Sequence, residues 1–230
     1  MISQAQEYSQ DTRQRLMEAA LLAFAEKGFD GVGVRKIAQK AKANPAMIAY
    51  HFGSKEGLYE AALRWVISDF SQWLQNMPEA PDSNSPNARE AALSSLKVNI
   101  KGLFENLVIC DRKDHARKPL HEAAHKLWTQ TIADSRSATV DFMIAQIRVW
   151  SDRVTACVNI LRPDISRFEL DAMIINVQGA IYFFHKHFDI IQKMRGAAYS
   201  DDDLEKMARD FVDFSLRGIG IPDVFKNEGA

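Results

Sequence analysis

Apolar residues recur three or four positions apart along most of this chain, which is the spacing of one face of an α-helix. Leu16, Ala20, Ala23 and Phe24 form the first such stripe, and comparable stripes continue as far as Leu216. No stretch alternates with a period of two for long enough to predict a sheet. The sequence of 230 residues therefore predicts an all-α fold.

The charge balance limits how the chain could bind nucleic acid. It has 29 lysines and arginines against 30 acidic residues, for a net charge of -1. A protein that coats nucleic acid with its whole surface is strongly basic. Any contact with DNA must therefore be a local patch, with modest and salt-sensitive non-specific affinity.

Two further features bear on the compartment. No apolar run approaches the roughly 20 residues that span a bilayer, and Met1 to Asp11 lacks the apolar stretch of a secretion signal. The two cysteines, Cys110 and Cys157, lie in apolar helical patterns and make no disulfide framework, so we expect buried free thiols. These features predict a cytoplasmic protein without a membrane partner.

Turn signals divide the N-terminal part into four helices. Gly28 ends the first, Asn44 can cap the third ahead of a first-turn proline, and Ser54 can cap the fourth. The predicted bounds are Thr12–Lys27, a short helix from Val34, Pro45–Phe52, and a helix from Ser54 to Trp73.

Five more helices are predicted after a polar loop at residues 77–87. Ser166 and Glu169 form a capping box, and Asp201 to Asp203 complement the positive end of the last helix. The predicted bounds are Ala88–Ile109, Pro119–Thr131, Thr139–Leu161, Ser166–Met194 and Ser200–Arg217.

The two short helices, separated by Lys42-Ala43-Asn44, have the geometry of a helix-turn-helix, in which the second helix can enter the DNA major groove. Arg35 and Lys55 each lie in a first helical turn, where a cation opposes the helix dipole at a cost of about 0.3–1 kcal/mol. A phosphate group bound there would remove that cost. Lys40 and Lys42 could equally form a solvated face.

Three strings at the N-terminus carry a resemblance to a known family. They are AFAEKGF at 23–29, VRKIAQKA at 34–41 and YHFGSKEGLY at 50–59. The region from Thr12 to Leu63 resembles the DNA-binding domain of the tetracycline-repressor (TetR) family across all four helices. Residues 43–45 and 50–52 resemble a subgroup of that family with poorly characterised C-terminal domains. The resemblance implies a helix-turn-helix at about 34–53 within a DNA-binding domain at 10–65.

The same resemblance implies roles for individual side chains. Arg35 would contact a base edge, in the manner of an arginine on guanine, while Ile48 and Phe52 would belong to the core and Met47 partly so. The predicted DNA-binding residues are Arg35, Lys36, Asn44, Pro45, Ala46, Met47 and Ala49, with Tyr50, His51 and Lys55 on phosphates.

The sequence departs from the family pattern at three positions. Lys42 stands where a turn glycine is common, which predicts either a non-glycine residue near positive φ or a different turn closure. Gly33 replaces a hydroxyl cap, and Ala49 replaces a frequent tyrosine. The face that meets bases is thus small and apolar, and suits thymine methyl groups.

The resemblance also implies that residues 66–220 sense a small-molecule effector and form a homodimer, without any other cofactor. The protein would be a ligand-responsive transcriptional regulator that represses transcription from a palindromic operator. Aromatic candidates for an effector pocket are Phe104, Trp128, Phe142, Trp150 and Phe183, although aromatic residues at helical spacing are more often core. Apolar candidates for the dimer interface, which could also be intramolecular core, are Phe168, Ala172, Ile175, Gly179, Tyr182, Met207, Phe211 and Phe214.

The sequence also allows two rival functions. His121, Glu122 and His125 match the zinc-peptidase pattern H-E-x-x-H, in which two histidines one helical turn apart share a metal. No third ligand follows at the expected spacing, so we expect neither a metal nor an enzyme. A helical interaction module that never binds DNA is the other alternative.

Overall fold

A computed structural model describes residues 4–110, 118–133 and 138–221. Within these ranges the backbone forms ten α-helices and one π-helical segment, Glu105–Cys110, and no strand, so the all-α prediction is confirmed. None of these helices combines the length and the apolar character that a membrane crossing requires. The helices are α1 (Gln4–Lys27), α2 (Val34–Lys40), α3 (Ala46–Phe52), α4 (Lys55–Gln75), α5 (Ala88–Phe104), α6 (Lys118–Ala133), α7 (Ala138–Leu161), α8 (Arg167–Lys186), α9 (Phe188–Arg195) and α10 (Asp201–Gly218).

Two helix starts predicted in the C-terminal half, at Ser166 and Ser200, are confirmed by their caps. Ser166 accepts a hydrogen bond from the backbone N–H of Glu169 at 3.3 Å, and the Glu169 carboxylate accepts one from the Ser166 N–H at 3.0 Å. Ser200 and Asp203 form a second reciprocal box, with distances of 3.1 and 3.0 Å. The sequence had indicated only that the acids at this start would complement the helix dipole. The aspartate at the third position thus adds a hydrogen bond to that electrostatic effect.

The prediction of one helix from Ser166 to Met194 is wrong in its last third. The helix ends at Lys186, and His187 adopts φ -108° and ψ 19° before α9 begins at Phe188. No glycine or proline marks this break in the sequence. Phe188 is buried and its ring lies 5.5 Å from Phe184 and 5.6 Å from Tyr199. Aromatic packing therefore overrides the continuous helical pattern.

The described residues divide into two compact units. The first contains residues 4–72, 118–133 and 138–146, and the second contains residues 73–110 and 147–221. In the first unit, Ala123 and Leu127 of α6 share one core with Leu16 and Phe24 of α1. A helix from far along the chain thus belongs to the N-terminal core. The predicted domain bounds, 10–65 and 66–220, remain a prediction.

The second unit has its own core, built from α5, α7, α8 and α10. Leu96, Trp150, Ile174 and Leu216 are among its buried residues. Cys157 is a buried free thiol, as predicted, and burial raises its pKa to about 11. Such a thiol is protonated and unreactive at neutral pH. The side chain of Cys110 lies outside the described residues.

Candidate DNA-binding site

The turn between the two short helices closes around Lys42. Lys42 has φ 52°, the one positive φ among non-glycine residues in the described part of the chain. Its N–H bonds to the Gln39 carbonyl at 3.1 Å, and the Ala43 N–H bonds to the Ala38 carbonyl at 2.9 Å. This pair of bonds is the Schellman ending, which places a left-handed residue just past the helix. The predicted positive φ at Lys42 is confirmed.

Short-range caps define both ends of α3. The Asn44 side-chain oxygen accepts a hydrogen bond from the Ala46 N–H at 2.9 Å, as predicted for an N-cap ahead of a proline. At the other end Gly53 has φ 77°, a conformation that favours glycine. Ser54 then caps α4 by accepting a hydrogen bond from the Gly57 N–H at 3.1 Å. The chain is therefore forced to turn sharply on both sides of α3.

One face of α3 packs against α1 and α2, and the other is open. Ile48 is 2% exposed and belongs to the core, as predicted, whereas Phe52 is only half-buried against it. Met47 is also half-buried. The predicted base-facing and phosphate-facing positions that are exposed are Asn44, Pro45, Ala46, Ala49 and Tyr50. A helix anchored by one side and open on the other has the form needed to enter a groove.

The residues around α2 and α3 carry only positive charge. Residues 31–54 contain four cations, Arg35, Lys36, Lys40 and Lys42, and no aspartate or glutamate, in a chain whose net charge is -1. Arg35 and Lys36 are exposed. Lys40 lies 3.6 Å from the Glu26 carboxylate, which favours the solvated-face interpretation for that residue. The local patch that the charge balance required is present.

Lys36 is part of a crowded cationic group. Lys27, at the end of α1, lies near it, and this neighbouring positive charge lowers the pKa of Lys36 below its ordinary value. Two ammonium groups this close repel each other, and an anion between them would relieve the repulsion. Gly33, which precedes α2, makes no side-chain cap, as its lack of a hydroxyl predicted.

Lys55 and His51, which the sequence assigned to phosphates, both contact other parts of the chain. The Lys55 ammonium group lies 4.4 Å from the centre of the Phe29 ring, so it already has an intramolecular partner. The Nε2 atom of His51 is buried and accepts or donates no hydrogen bond, whereas neighbouring Tyr50 is 75% exposed. As predicted, the two adjacent rings do not both point inward.

A cation that sequence reasoning missed lies beside them. Arg13 of α1 is exposed, and its guanidinium carbon is 5.2 Å from the centre of the Phe52 ring. Burial, and then the charge of Arg13, lower the pKa of His51 below its ordinary value of 6.5. Arg13 precedes every string that carried the family resemblance, so no local motif could have indicated it.

The candidate effector residues are divided between the two units. Trp128 is half-buried in the first unit. In the second unit, Phe104 and Trp150 are buried, and Phe183 is 62% exposed. Trp150 donates a hydrogen bond to the Asn99 carbonyl at 3.1 Å, which is typical of a core tryptophan. The side chain of Phe142 lies outside the described residues.

The candidate dimer residues differ in exposure. Phe168, Ile175 and Phe214 are 83%, 66% and 69% exposed, and Gly179 is exposed too. Ala172, Tyr182, Met207 and Phe211 are half-buried. The Phe211 ring lies 5.8 Å from Phe104, inside the second unit. Among these candidates, the most exposed large apolar side chains are therefore Phe168 and Ile175 on α8 and Phe214 on α10.

The H-E-x-x-H pattern lies only partly within the residues that the structure describes. Glu122 is exposed and His125 is half-buried on α6, while the side chain of His121 lies outside the described residues. Among the described side chains there is no group of three histidine, cysteine or acidic residues placed to hold a metal ion. The adjacent Ala123 and Leu127 belong to the core that α6 shares with α1.

A short helix that is open on one face, held by capped turns and flanked by exposed cations, defines a DNA-binding protein of the helix-turn-helix class. Residues 16–62 match the family described as "Bacterial regulatory proteins, tetR family". Residues 16–62 are thus a DNA-binding domain of the TetR type, and the chain is similar to proteins that are named transcriptional regulators.

Individual relatives agree with this assignment. The HTH-type transcriptional regulator BetI of Serratia proteamaculans is 23% identical over 90% of this chain and 93% of its own length. The HTH-type transcriptional repressor NicS of Pseudomonas putida is 39% identical, over 26% of this chain and 29% of its own length. The structure of AibR in complex with isovaleryl coenzyme A and operator DNA is similar with a TM-score of 0.58 and 13% identity, covering 88% of this chain and 97% of AibR. That last likeness concerns the fold alone.

Proposed function

We propose that the protein is a cytoplasmic repressor that binds a palindromic operator as a homodimer and responds to a small-molecule effector. The observation that carries the proposal is the open face of α3, on which Ala46, Ala49 and Tyr50 are exposed. In a helix-turn-helix dimer, one recognition helix enters each half-site, and half-sites are about one helical turn of DNA apart or a multiple of it.

Side chains on this face divide into two roles. Arg35 would donate two hydrogen bonds to a guanine edge, and Ala46 and Ala49 would contact thymine methyl groups. Tyr50 and Lys36 are exposed and would bind phosphates, which position the protein without reading sequence. Lys55 would have to exchange its contact with Phe29 for a phosphate or extend past that ring.

We place the dimer interface on the outward face of α8. Phe168, Ile175, Gly179 and Phe183 lie on one helical stripe, and three of them are large apolar side chains that are more than half exposed. A Cβ added to Gly179 would meet no atom of this chain within 4 Å, so nothing inside the subunit requires a glycine there. Glycine in a helix costs about 1 kcal/mol relative to alanine. Close approach of the same helix of a second copy accounts for both features.

Symmetry makes a second copy the natural occupant of that face. A two-fold dimer presents the same patch on both subunits, and that symmetry matches a palindromic operator. Phe214 of α10 extends the patch beyond α8. An exposed apolar surface of this kind in a soluble regulator otherwise carries an aggregation cost.

The effector is proposed to bind in the second unit. AibR, whose structure holds isovaleryl coenzyme A and operator DNA, has the same fold. In this chain, Phe104 belongs to an aromatic cluster with Phe184 and Phe211, at centroid distances of 5.9 and 5.8 Å. A ligand that binds beside these rings would be apolar, because apolar and aromatic side chains line most small-molecule sites. Such a ligand would regulate the protein only by binding one of two conformations better than the other.

The experiment that tests the proposal is footprinting with a matched pair of variants. The wild-type protein should protect a palindrome in a duplex taken from upstream of its own gene, and should lower transcription from that duplex in vitro. Ala49→Asp should abolish protection, because it places a carboxylate against the phosphate-lined groove. Val98→Asp, at a 43% exposed position on α5, should leave protection unchanged. Absence of any protected site in the wild type would overturn the proposal.

A further inference from the structure

Arg13 occupies an unusual position for a residue of α1. Its guanidinium lies over the ring of Phe52, the last residue of α3, at 5.2 Å from the ring centre. Phe52 itself is fixed, because it is half-buried against the core of the first unit. Arg13 is therefore held at the C-terminal end of the recognition helix while remaining exposed.

The charge of Arg13 is not neutralised within its surroundings. The nearest acid in sequence, Asp11, is paired with Arg15 at 3.0 Å. In the ranges that the structure describes, Arg13 has no acidic partner. The segment that contains α2 and α3 adds four more cations and no acid. An exposed cation in this setting attracts an anion.

The neighbouring side chain that the sequence assigned to a phosphate is poorly placed for it. The Nε2 atom of His51 is buried, and the close positive charge of Arg13 opposes protonation of its ring. A neutral histidine with one nitrogen turned inward would add no charge to the interface. The positive charge at this end of α3 belongs to Arg13.

We propose that Arg13 binds a backbone phosphate of the operator, so that α1 supplies a positioning residue to the DNA interface alongside α3. This inference rests on the proposed binding of DNA. A guanidinium offers donors in a planar fork that matches phosphate. The contact with the Phe52 ring restricts the side chain before DNA arrives, which lowers the entropy cost of binding a phosphate.

The test compares three variants on two duplexes. Arg13→Gln removes the charge, Arg13→Lys keeps it without the planar group, and Arg148→Gln removes the same charge from an exposed site on α7. The duplexes are a fluorescein-labelled fragment from upstream of the gene and a shuffled fragment of equal composition. Affinity is measured by anisotropy between about 50 and 200 mM salt, the range over which phosphate contacts weaken strongly.

Arg13→Gln should weaken binding to both duplexes by on the order of 10-fold and reduce the salt slope by about 2, one phosphate for each subunit of a dimer. Arg13→Lys should restore most of the slope and only part of the affinity. Arg148→Gln should match the wild type. A wild-type slope for Arg13→Gln, or a loss confined to the upstream duplex, would overturn the phosphate role. If the wild type binds neither duplex, the proposed function fails, and this inference fails with it.

Discussion

The hydroxyl of Tyr59 lies 3.0 Å from the hydroxyl of Thr131, joining α4 to α6 across 72 positions of sequence. Thr131 is 2% exposed and donates its own proton to the Leu127 carbonyl at 2.8 Å, so Tyr59 is the donor in this pair. The Tyr59 ring also packs edge-on against Phe24 and Phe29, at 5.1 and 5.2 Å. The first unit, which contains α2 and α3, thus includes α6 from the middle of the chain.

Tyr59→Phe should test this link. The change removes one buried hydrogen bond and keeps the aromatic packing, so we expect a loss of about 0.5–1.5 kcal/mol in the free energy of unfolding. Urea denaturation at fixed protein concentration measures it. Tyr50→Phe, at a 75% exposed position, is the control and should change stability by less than about 0.5 kcal/mol. Equal effects of the two changes would mean that the Tyr59–Thr131 bond is not formed in solution.

Lys42→Gly should stabilise the protein. Lys42 has φ 52° at the position where the Schellman ending favours glycine, and a side chain there costs about 1–2 kcal/mol. Part of that gain is lost to the greater freedom of glycine in the unfolded chain. We expect a net gain of about 0.5–1 kcal/mol by denaturation. Lys40→Gly, at the last residue of α2, should instead destabilise by up to about 1 kcal/mol. A destabilising Lys42→Gly would contradict the assigned turn.

Arg35 and Lys55 should give different kinds of defect in DNA binding. Arg35→Ala should cost about 1–3 kcal/mol on the operator and relax discrimination at one base position, because it removes a base contact. Lys55→Ala should weaken binding on all sequences and reduce the salt slope by about 1 per subunit. Lys193→Ala, at an exposed site on α9, is the control. A wild-type salt slope for Lys55→Ala would show that Lys55 keeps its contact with Phe29 in the complex.

Ile175→Asp should convert the dimer to a monomer. Ile175 is 66% exposed in the isolated chain, so the change should leave the fold intact, and the residue occurs twice in a two-fold interface. Sedimentation equilibrium should show a dissociation constant raised on the order of 100-fold or more. Gly179→Leu should have the same effect through a clash between helices, with helical content unchanged. Val98→Asp should remain dimeric, and a dimeric Ile175→Asp would exclude α8 as the interface.

His51 should make stability depend on pH below neutrality. Burial, together with the charge of Arg13, lowers the pKa of His51 below 6.5 in the folded chain, so the unfolded chain binds a proton at a higher pH than the folded one does. The free energy of unfolding should therefore fall as the pH drops below about 6.5, and this part of the dependence should vanish in His51→Gln. An NMR titration of the His51 ring should give a low pKa that rises in Arg13→Gln. An unchanged pKa in that variant would contradict their proximity.

Much of the DNA-binding surface followed from local features of the sequence. The Asn44 cap, the positive φ of Lys42 and the buried position of Ile48 each depend on residues within a few positions of one another. Such features are determined by backbone sterics and short-range hydrogen bonds, which act before any long-range packing. The positions of exposed residues on α3 follow from the helical period once Ile48 is placed in the core.

Only the tertiary structure decided which residues far apart in the sequence are in contact. The break at His187 follows from Phe188 packing against Phe184 and Tyr199, and no turn residue announces it. In the same way, the addition of α6 to the N-terminal core and the position of Arg13 over Phe52 each pair distant segments. A helical pattern specifies which face of a helix is apolar, but many partners could cover that face, and only the packed chain selects one.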